Sequence, residues 1–366
     1  MNRNTQICSG TLLVALAFPL VSCTGSPESK DAAAQPKSQP APAVTEDGGA
    51  PAPEPLAKNT KVTIAMAALA ENFAGVLLAD QMGEFKKENL DVSVQVLPTT
   101  ETLTSMAQGR IQFQPSGLTA ATLNGISSGD TYRVVGFMYD TIGEIKEGIW
   151  IGNKYFDANG KVDPEKVRGM KLVLGPIGIG QSTAGSASKW LQSIGLSLED
   201  VQIVNMSPPD TVVAMKQGAV DGAYLLGPFW QQVEASGKSR YVTGTRGNVA
   251  SYMMPTRFME EKPEVAEAIM RAVLRTHRTY LDGDYHKDPE VVKALSKAMK
   301  VPSDVFTKTE TPFKFTSDFQ SAFAEKATLD LQGVWLNAGG VLSYKEPLPP
   351  ERIVDLNLAR KVAGEQ

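Results

Sequence analysis

Apolar positions along the chain recur in two periods. Val62, Ile64 and Met66 alternate with smaller or polar residues and predict a strand over 62–66. Phe73, Val76, Leu77, Met82 and Phe85 recur at helical spacing and predict a helix over 73–87, with Asn89 supplying a left-handed stop. A second strand is predicted over 92–96, and further strands over 111–114, 133–139, 171–174, 201–206 and 222–226, with helices between most of them. Strand, helix, strand in that order implies a parallel sheet. Beyond Pro263, Val265, Ile269, Val273 and Tyr280 lie roughly on one face of a predicted helix that opens on the proline.

A twelve-residue stretch occurs twice. Glu101-Thr-Leu-Thr-Ser-Met-Ala-Gln-Gly-Arg-Ile-Gln112 is echoed by Asp210-Thr-Val-Val-Ala-Met-Lys-Gln-Gly-Ala-Val-Asp221, with Thr, Met, Gln and Gly coinciding at a constant offset of 109. Each copy opens on an acid, which suits a helix N-terminus, and closes on glycine, which suits the left-handed residue beyond a helix end. Two related α/β lobes follow. The stretch 148–152 is expected to carry the chain out of the first lobe, and 240–243 to return it, which implies a hinge with a cleft between the lobes.

The N-terminus is of another kind. One basic residue, Arg3, precedes an apolar run over 11–21, about half the length of a membrane-spanning helix and interrupted by Pro19. It fits the apolar region of a secretory signal peptide. The run ends in Leu20-Val21-Ser22-Cys23, similar to a bacterial lipobox, so Cys23 is expected to carry the acyl chains of a stable anchor. Residues 24–58 are rich in Pro, Ala, Ser and Gln and lack aromatics, and are expected to form a disordered tether. The expected organisation is a signal peptide over 1–22, lipidated cysteine and tether over 23–58, one lobe from 59–146 with 245–366, and the other from 147–244.

Composition narrows the function. With 36 Lys+Arg against 40 Asp+Glu, the net charge is -4, which argues against nucleic acid as a partner. Two cysteines, Cys8 and Cys23, exclude a disulfide scaffold or a cysteine-ligated metal centre, and two histidines leave little for imidazole chemistry. The stretch 282–288 departs from a calcium loop at Lys287 and Lys293 and reads as a solvated turn. Neither a serine-hydrolase elbow nor a zinc-peptidase motif occurs. No catalytic residue, metal or cofactor is expected.

Open α/β sheets take ligands beyond the carboxyl ends of their strands. Three such places stand out: 67–73, with Asn72 and Phe73; 115–119, with Ser116 and Thr119; and 175–183, with Gln181, Ser182 and Thr183. The third lacks the lysine of a P-loop, since Gln181 takes its place, so a nucleotide triphosphate is not expected. Tyr139, Tyr224, Phe229 and Trp230 are candidate pocket walls.

These residues resemble the substrate-binding lipoproteins of ABC importers in the nitrate, sulfonate and taurine family, which includes pyrimidine-precursor binders of the NMT1/THI5 type. The similarity is most specific in Val167-Arg-Gly-Met-Lys171, Gly180-Gln-Ser182, Pro208-Pro-Asp210 and Pro228-Phe229. It implies a two-lobed type II periplasmic-binding fold, each lobe a mostly parallel sheet flanked by helices. It also implies a monomer that captures a small solute and delivers it to a permease and its ATPase, outside the cytoplasm. Gly227 stands where an acidic residue is common, so a cationic ligand such as an amine loses one expected partner, and the cysteine cluster of the THI5-type synthases is absent. An enzyme on the same fold and a lipid-anchored sensor without a permease are the competing readings.

Overall fold

The first lobe begins with β1 (Thr60–Met66), α1 (Ala74–Gln81), α2 (Glu84–Lys87) and β2 (Leu90–Val96), then α3 (Thr99–Ala107), β3 (Gln114–Gly117), α4 (Ala120–Gly129), β4 (Tyr132–Phe137) and β5 (Tyr139–Thr141). The second holds β6 (Gly148–Gly152), α5 (Pro164–Val167), β7 (Lys171–Gly175), α6 (Thr183–Ser193), β8 (Gln202–Asn205), α7 (Pro208–Gln217), β9 (Gly222–Leu225), α8 (Phe229–Glu234) and β10 (Ser239–Gly244). The chain returns through β11 (Ala250–Pro255) and continues with α9 (Thr256–Glu261), α10 (Pro263–Tyr280), α11 (Pro289–Met299), α12 (Asp304–Thr307), β12 (Phe313–Phe315) and α13 (Ala324–Asn337). In this computed structural model the described residues are 49–365, apart from 130, 142–145, 245–249, 310, 312, 322 and 323. The expected signal peptide, Cys23 and most of the expected tether lie outside them.

The two sheets repeat one topology. In the second lobe the order is β10-β6-β9-β7-β8. In the first, β1 pairs with β2, β11 lies between β3 and β4, and a parallel bridge from Ile64 to Phe113 joins the two sets, giving β4-β11-β3-β1-β2. Among the described residues, the only reversed strand in each sheet is the one that enters from the other lobe, β6 or β11. Each sheet is therefore mostly parallel.

The repeated stretch falls on matching helices, α3 and α7, and ends just before the matching strands β3 and β9, and its local bonding is the same in both. Thr102 Oγ1 donates to the Pro98 carbonyl, as Thr211 Oγ1 does to that of Ser207. Gly109 and Gly218 adopt φ of +72° and +75°, and the next amide bonds back to Ser105 or Ala214. These are paired Schellman-type helix ends.

Apolar side chains cover both faces of each sheet. Ile149, Ile151, Leu172 and Leu174 pack on one side of the second sheet, Trp150 and Val173 on the other. That alternation buries residues 148–151 of β6 and 172–174 of β7 and explains their continuous apolar runs.

Three details depart from the sequence expectation. The helix expected over 73–87 is broken at Gly83, whose φ is +76°. The strand expected over 111–114 is displaced to β3. Residues 112 and 113 hydrogen-bond to β1, and the chain then shifts to pair with β11. The expected tether is held against the first lobe from Gly49 onward. The Gly49 carbonyl accepts from Arg278, Pro51 from Arg275 and Glu54 from Arg271, while the Leu56 amide donates to Glu88. Arg271 and Arg275 of α10 are buried against Glu84 and Glu88 of the α2 region, with Arg275 Nε 2.6 Å from Glu84 Oε2 and Nη1 2.7 Å from Glu88 Oε1. The periodicity reading of α10 saw its aliphatic stripe but not this ionic one.

Candidate ligand cleft

In each lobe the equivalent strand, β1 or β7, ends in a loop that leads into a helix. After β1 the loop holds Ala67, Ala68 and Asn72, and α1 follows Phe73. After β7 it holds Gly175, Pro176 and Gln181, and α6 follows Ser182. The offset of 109 that relates the repeated stretch maps one loop onto the other and pairs Asn72 with Gln181. The loops enclose a cavity of about 120 Å³.

The first lobe lines it with Asn72, Phe73, Ser116 and Tyr139, and the second with Gln181, Ser182, Thr183, Tyr224 and Phe229. Two of the residues singled out from sequence are placed elsewhere. Thr119 is buried at the start of α4, its Oγ1 accepting from the Thr122 amide at 3.1 Å and lying 2.8 Å from Thr122 Oγ1. Trp230 stacks on Trp150 with centroids 6.0 Å apart, inside the packing of the second lobe. Lining residues that sequence reading missed include Thr99, Met206, Pro208 and Thr211. The offset alone would have found several of them, because Thr99 maps onto Pro208 and Thr211 lies in the repeat.

Hydroxyls in the cleft differ in what they have left to offer. Thr183 Oγ1 donates to the Leu174 carbonyl at 2.6 Å, and Ser116 Oγ to that of Gly117 at 2.9 Å. Ser182 precedes α6 without capping it. Tyr139 is buried, its ring packed on Phe313 and Phe315. Burial pushes its hydroxyl well above the usual value, the Glu147 carboxyl and Tyr224 add to this, and a hydrogen bond from Asn72 opposes it. Asn72 Oδ1 is buried without a donor. Among the described residues no Lys, Arg, His, Asp or Glu lines the cavity, and no group of three or more His, Cys, Asp or Glu is arranged to hold a metal.

Two further features join the lobes. Where the chain crosses between the lobes the strands nearly touch, so a Cβ at Gly148, whose φ is +151°, would lie 2.2 Å from the Thr243 carbonyl oxygen. From the first lobe, α13 reaches across: Trp335 Nε1 donates to the Ile179 carbonyl of the glycine loop at 2.6 Å, and Leu331 packs beside Gly185 of α6.

Residues 56–296 match the model of the NMT1-like family. The chain belongs to that family. Over 122 residues it is 29% identical to the taurine-binding periplasmic protein of Escherichia coli (strain K12), an alignment covering 31% of this chain and 37% of the relative. Among solved structures, the periplasmic nitrate-binding protein NrtA from Synechocystis PCC 6803 superposes with a TM-score of 0.65 at 16% identity, covering 86% of this chain and 90% of its own. The alkanesulfonate-binding protein SsuA from Xanthomonas axonopodis pv. citri, bound to MOPS, gives 0.63 at 16% identity, with coverage of 81% and 99%. The desulfurization enzyme DSZB gives 0.55 at 12% identity, with coverage of 83% and 99%. The fold of this NMT1-like protein is thus that of the periplasmic binding proteins, a fold that the enzyme DSZB shares.

The histidines of this NMT1-like chain are both structural. His277 Nδ1 donates to the Thr316 carbonyl at 2.8 Å and Nε2 accepts from Tyr252 at 2.8 Å, and burial lowers its pKa to about 4. His286 corrects the reading of its segment as a solvated turn. The turn is exposed at Asp282 and Lys287, but His286 points inward, with Nε2 2.6 Å from Glu71 Oε1 and Nδ1 2.9 Å from the Thr309 carbonyl. Sequence inspection had no sign of this pairing, because Glu71 is 215 residues away.

Proposed function

We propose that this chain is the extracytoplasmic solute-binding component of an ABC importer. It captures a small solute between its lobes, closes about the hinge beside Gly148, and delivers the solute to a membrane permease driven by an ATPase. In this reading the protein acts as a monomer, held at the membrane by acyl chains on Cys23 and the segment that follows it. The observation that carries the reading is the enclosed cavity between two equivalent lobes, to which matching loops contribute matching residues. A solute held there has half its surface on each lobe, so binding favours the closed arrangement by the difference in contact it makes there.

Mass spectrometry of solute released from the purified protein, together with small-angle scattering before and after its return, tests this. Recovery of a small molecule and a smaller radius of gyration on rebinding are expected. An unchanged radius and no recovered solute would remove the proposal. Conversion of the rebound solute to a product would move the chain to the enzymes of this fold. Loss of acyl labelling and of membrane attachment in Cys23→Ala is expected, and labelling that survives the substitution would refute the anchor.

A further inference from the structure

Two side-chain amides face the cleft from positions that the duplication relates. Asn72 and Gln181 match at the offset of 109, and both line the cavity. Asn72 is 8% exposed, and its Oδ1 is buried with no donor. Its amide nitrogen donates to the Tyr139 hydroxyl, so Oδ1 is what it has left to offer, and a carbonyl oxygen can only accept. The hydroxyls of the lining that could have served it are committed: those of Thr183, Ser116 and Thr211 donate to the carbonyls of Leu174, Gly117 and Ser207. The neighbouring acid, Glu71, is not part of the lining and spends Oε1 on Tyr285 and His286. On the opposite wall Gln181 lies along the backbone of Gly175, where a Cβ would sit 3.1 Å from Gln181 Nε2. Ser182 opens α6 without capping it, so the first amides of that helix remain donors. One wall thus presents an acceptor and the other presents donors, with Phe73 and Phe229 as apolar sides.

We infer that the solute is uncharged and carries both a hydrogen-bond donor, for Asn72 Oδ1, and an acceptor, for Gln181 and the α6 amides, as a primary amide does. This rests on the cleft being the solute site. A carboxylate, sulfonate or nitrate has no proton to give, so Asn72 Oδ1 would stay buried and unpaired, which costs binding. An ammonium or amidinium satisfies Oδ1 but accepts nothing from the α6 amides, and it meets the positive end of that helix. A zwitterion can reach both walls. Among the described lining residues, however, no Lys, Arg, His, Asp or Glu compensates either of its charges, and an ion buried without a partner is expensive. A neutral amide meets both walls without that cost.

The test begins with mass spectrometry of solute released from the full chain purified in detergent. A molecule that is uncharged at pH 7 and has both a donor and an acceptor is expected. A recovered sulfonate, nitrate, carboxylate, amine or zwitterion would overturn the inference while supporting the cleft as the solute site. Calorimetry on the emptied chain then compares benzamide with its isosteres benzoate and benzamidine, and with taurine. Benzamide is expected to bind at least about tenfold more tightly than each of the others, since each brings a charge that the lining leaves unpaired. Asn72→Ala should lower benzamide affinity about two- to tenfold, the size of one hydrogen bond between neutral groups. Asn72→Asp should move the preference to benzamidine. If a variant does not fold, the ranking of probes on the parent chain decides. Binding of benzoate, benzamidine or taurine as tight as that of benzamide, parent-like benzamide affinity in Asn72→Ala, or an unmoved ranking in Asn72→Asp overturns the inference. If no probe binds, the charge of the recovered solute decides. If no solute is recovered either, the inference and the cleft reading fall together.

Discussion

Arg275→Met probes the buried ion cluster that ties α10 to the α2 region. Arg275 donates to Glu84 Oε2 at 2.6 Å, to Glu88 Oε1 at 2.7 Å, and to the carbonyls of Glu84 and Pro51 at 3.1 and 3.3 Å. The Glu84 and Glu88 side chains are 1% and 0% exposed, so neither can turn to water. Removing one partner of a buried pair costs roughly 3–5 kcal/mol, because it leaves a charge uncompensated. Here the lower end applies. Glu88 keeps Arg271 at 3.0 Å, and Glu84 keeps Lys87 at 2.7 Å and Tyr280 at 2.8 Å. With about 300 ordered residues and an unfolding entropy of about 2.1 cal/mol/K for each, a loss of ~3 kcal/mol lowers Tm by about 5 °C. The pH dependence supplies a second reading. Burial raises the pKa of Glu84, but bonds from Lys87, Arg275 and Tyr280 together hold it below its usual value. That group therefore stabilises the parent fold above the usual carboxylate pKa, and the contribution is lost as pH falls through the folded value. In the variant burial gains the upper hand, Glu84 takes up its proton earlier, and the gap between the two proteins narrows on acidification. Calorimetric melting at pH 7 and pH 4.5 measures both effects. A fall in Tm of less than about 1 °C at pH 7, or a gap that widens in acid, would refute the reasoning.

Gly148→Ala forces a Cβ to within 2.2 Å of the Thr243 carbonyl oxygen at the hinge; a loss of about 1–3 kcal/mol in denaturant unfolding is expected, and parent-like stability would show that the crossing strands part freely. Trp335→Phe removes the 2.6 Å bond from α13 to the glycine loop; affinity for the recovered solute, read by calorimetry, should fall by roughly 0.5–1.5 kcal/mol. Trp230→Ala should lower Tm through loss of stacking on Trp150 and leave solute affinity unchanged, since the ring lies outside the cavity. For His286, burial pushes the pKa down, but the Glu71 bond and charge outweigh it and the net shift is upward. Its contribution to stability is full below the usual histidine pKa and is lost as pH rises through the folded value; imidazole NMR titration should give a raised midpoint, and His286→Gln should flatten the stability profile across that window.

How much of this was legible beforehand follows from the range of the interactions involved. Strands and helices leave a local period in the chain, so β1, β6, β7 and α10 could be read from spacing. A duplicated capped helix repeats its own hydrogen bonds wherever it sits, so the offset of 109 predicted two lobes of one topology before any sheet was seen. Other features depend on groups brought together from far apart. Aromatic residues look alike whether they line a cavity or fill a core, and only packing separated Phe229 from Trp230. Arg271 and Arg275 lie on a helix whose aliphatic period says nothing of the buried carboxylates opposite them. Residues 49–58 have the composition of a free tether and are nonetheless held by arginines more than two hundred positions away, because hydrogen bonds to their backbone need no particular side chain. The pairing of Glu71 with His286 was likewise decided by tertiary structure, since burial and charge neighbours are properties of the folded surface and not of the order of residues.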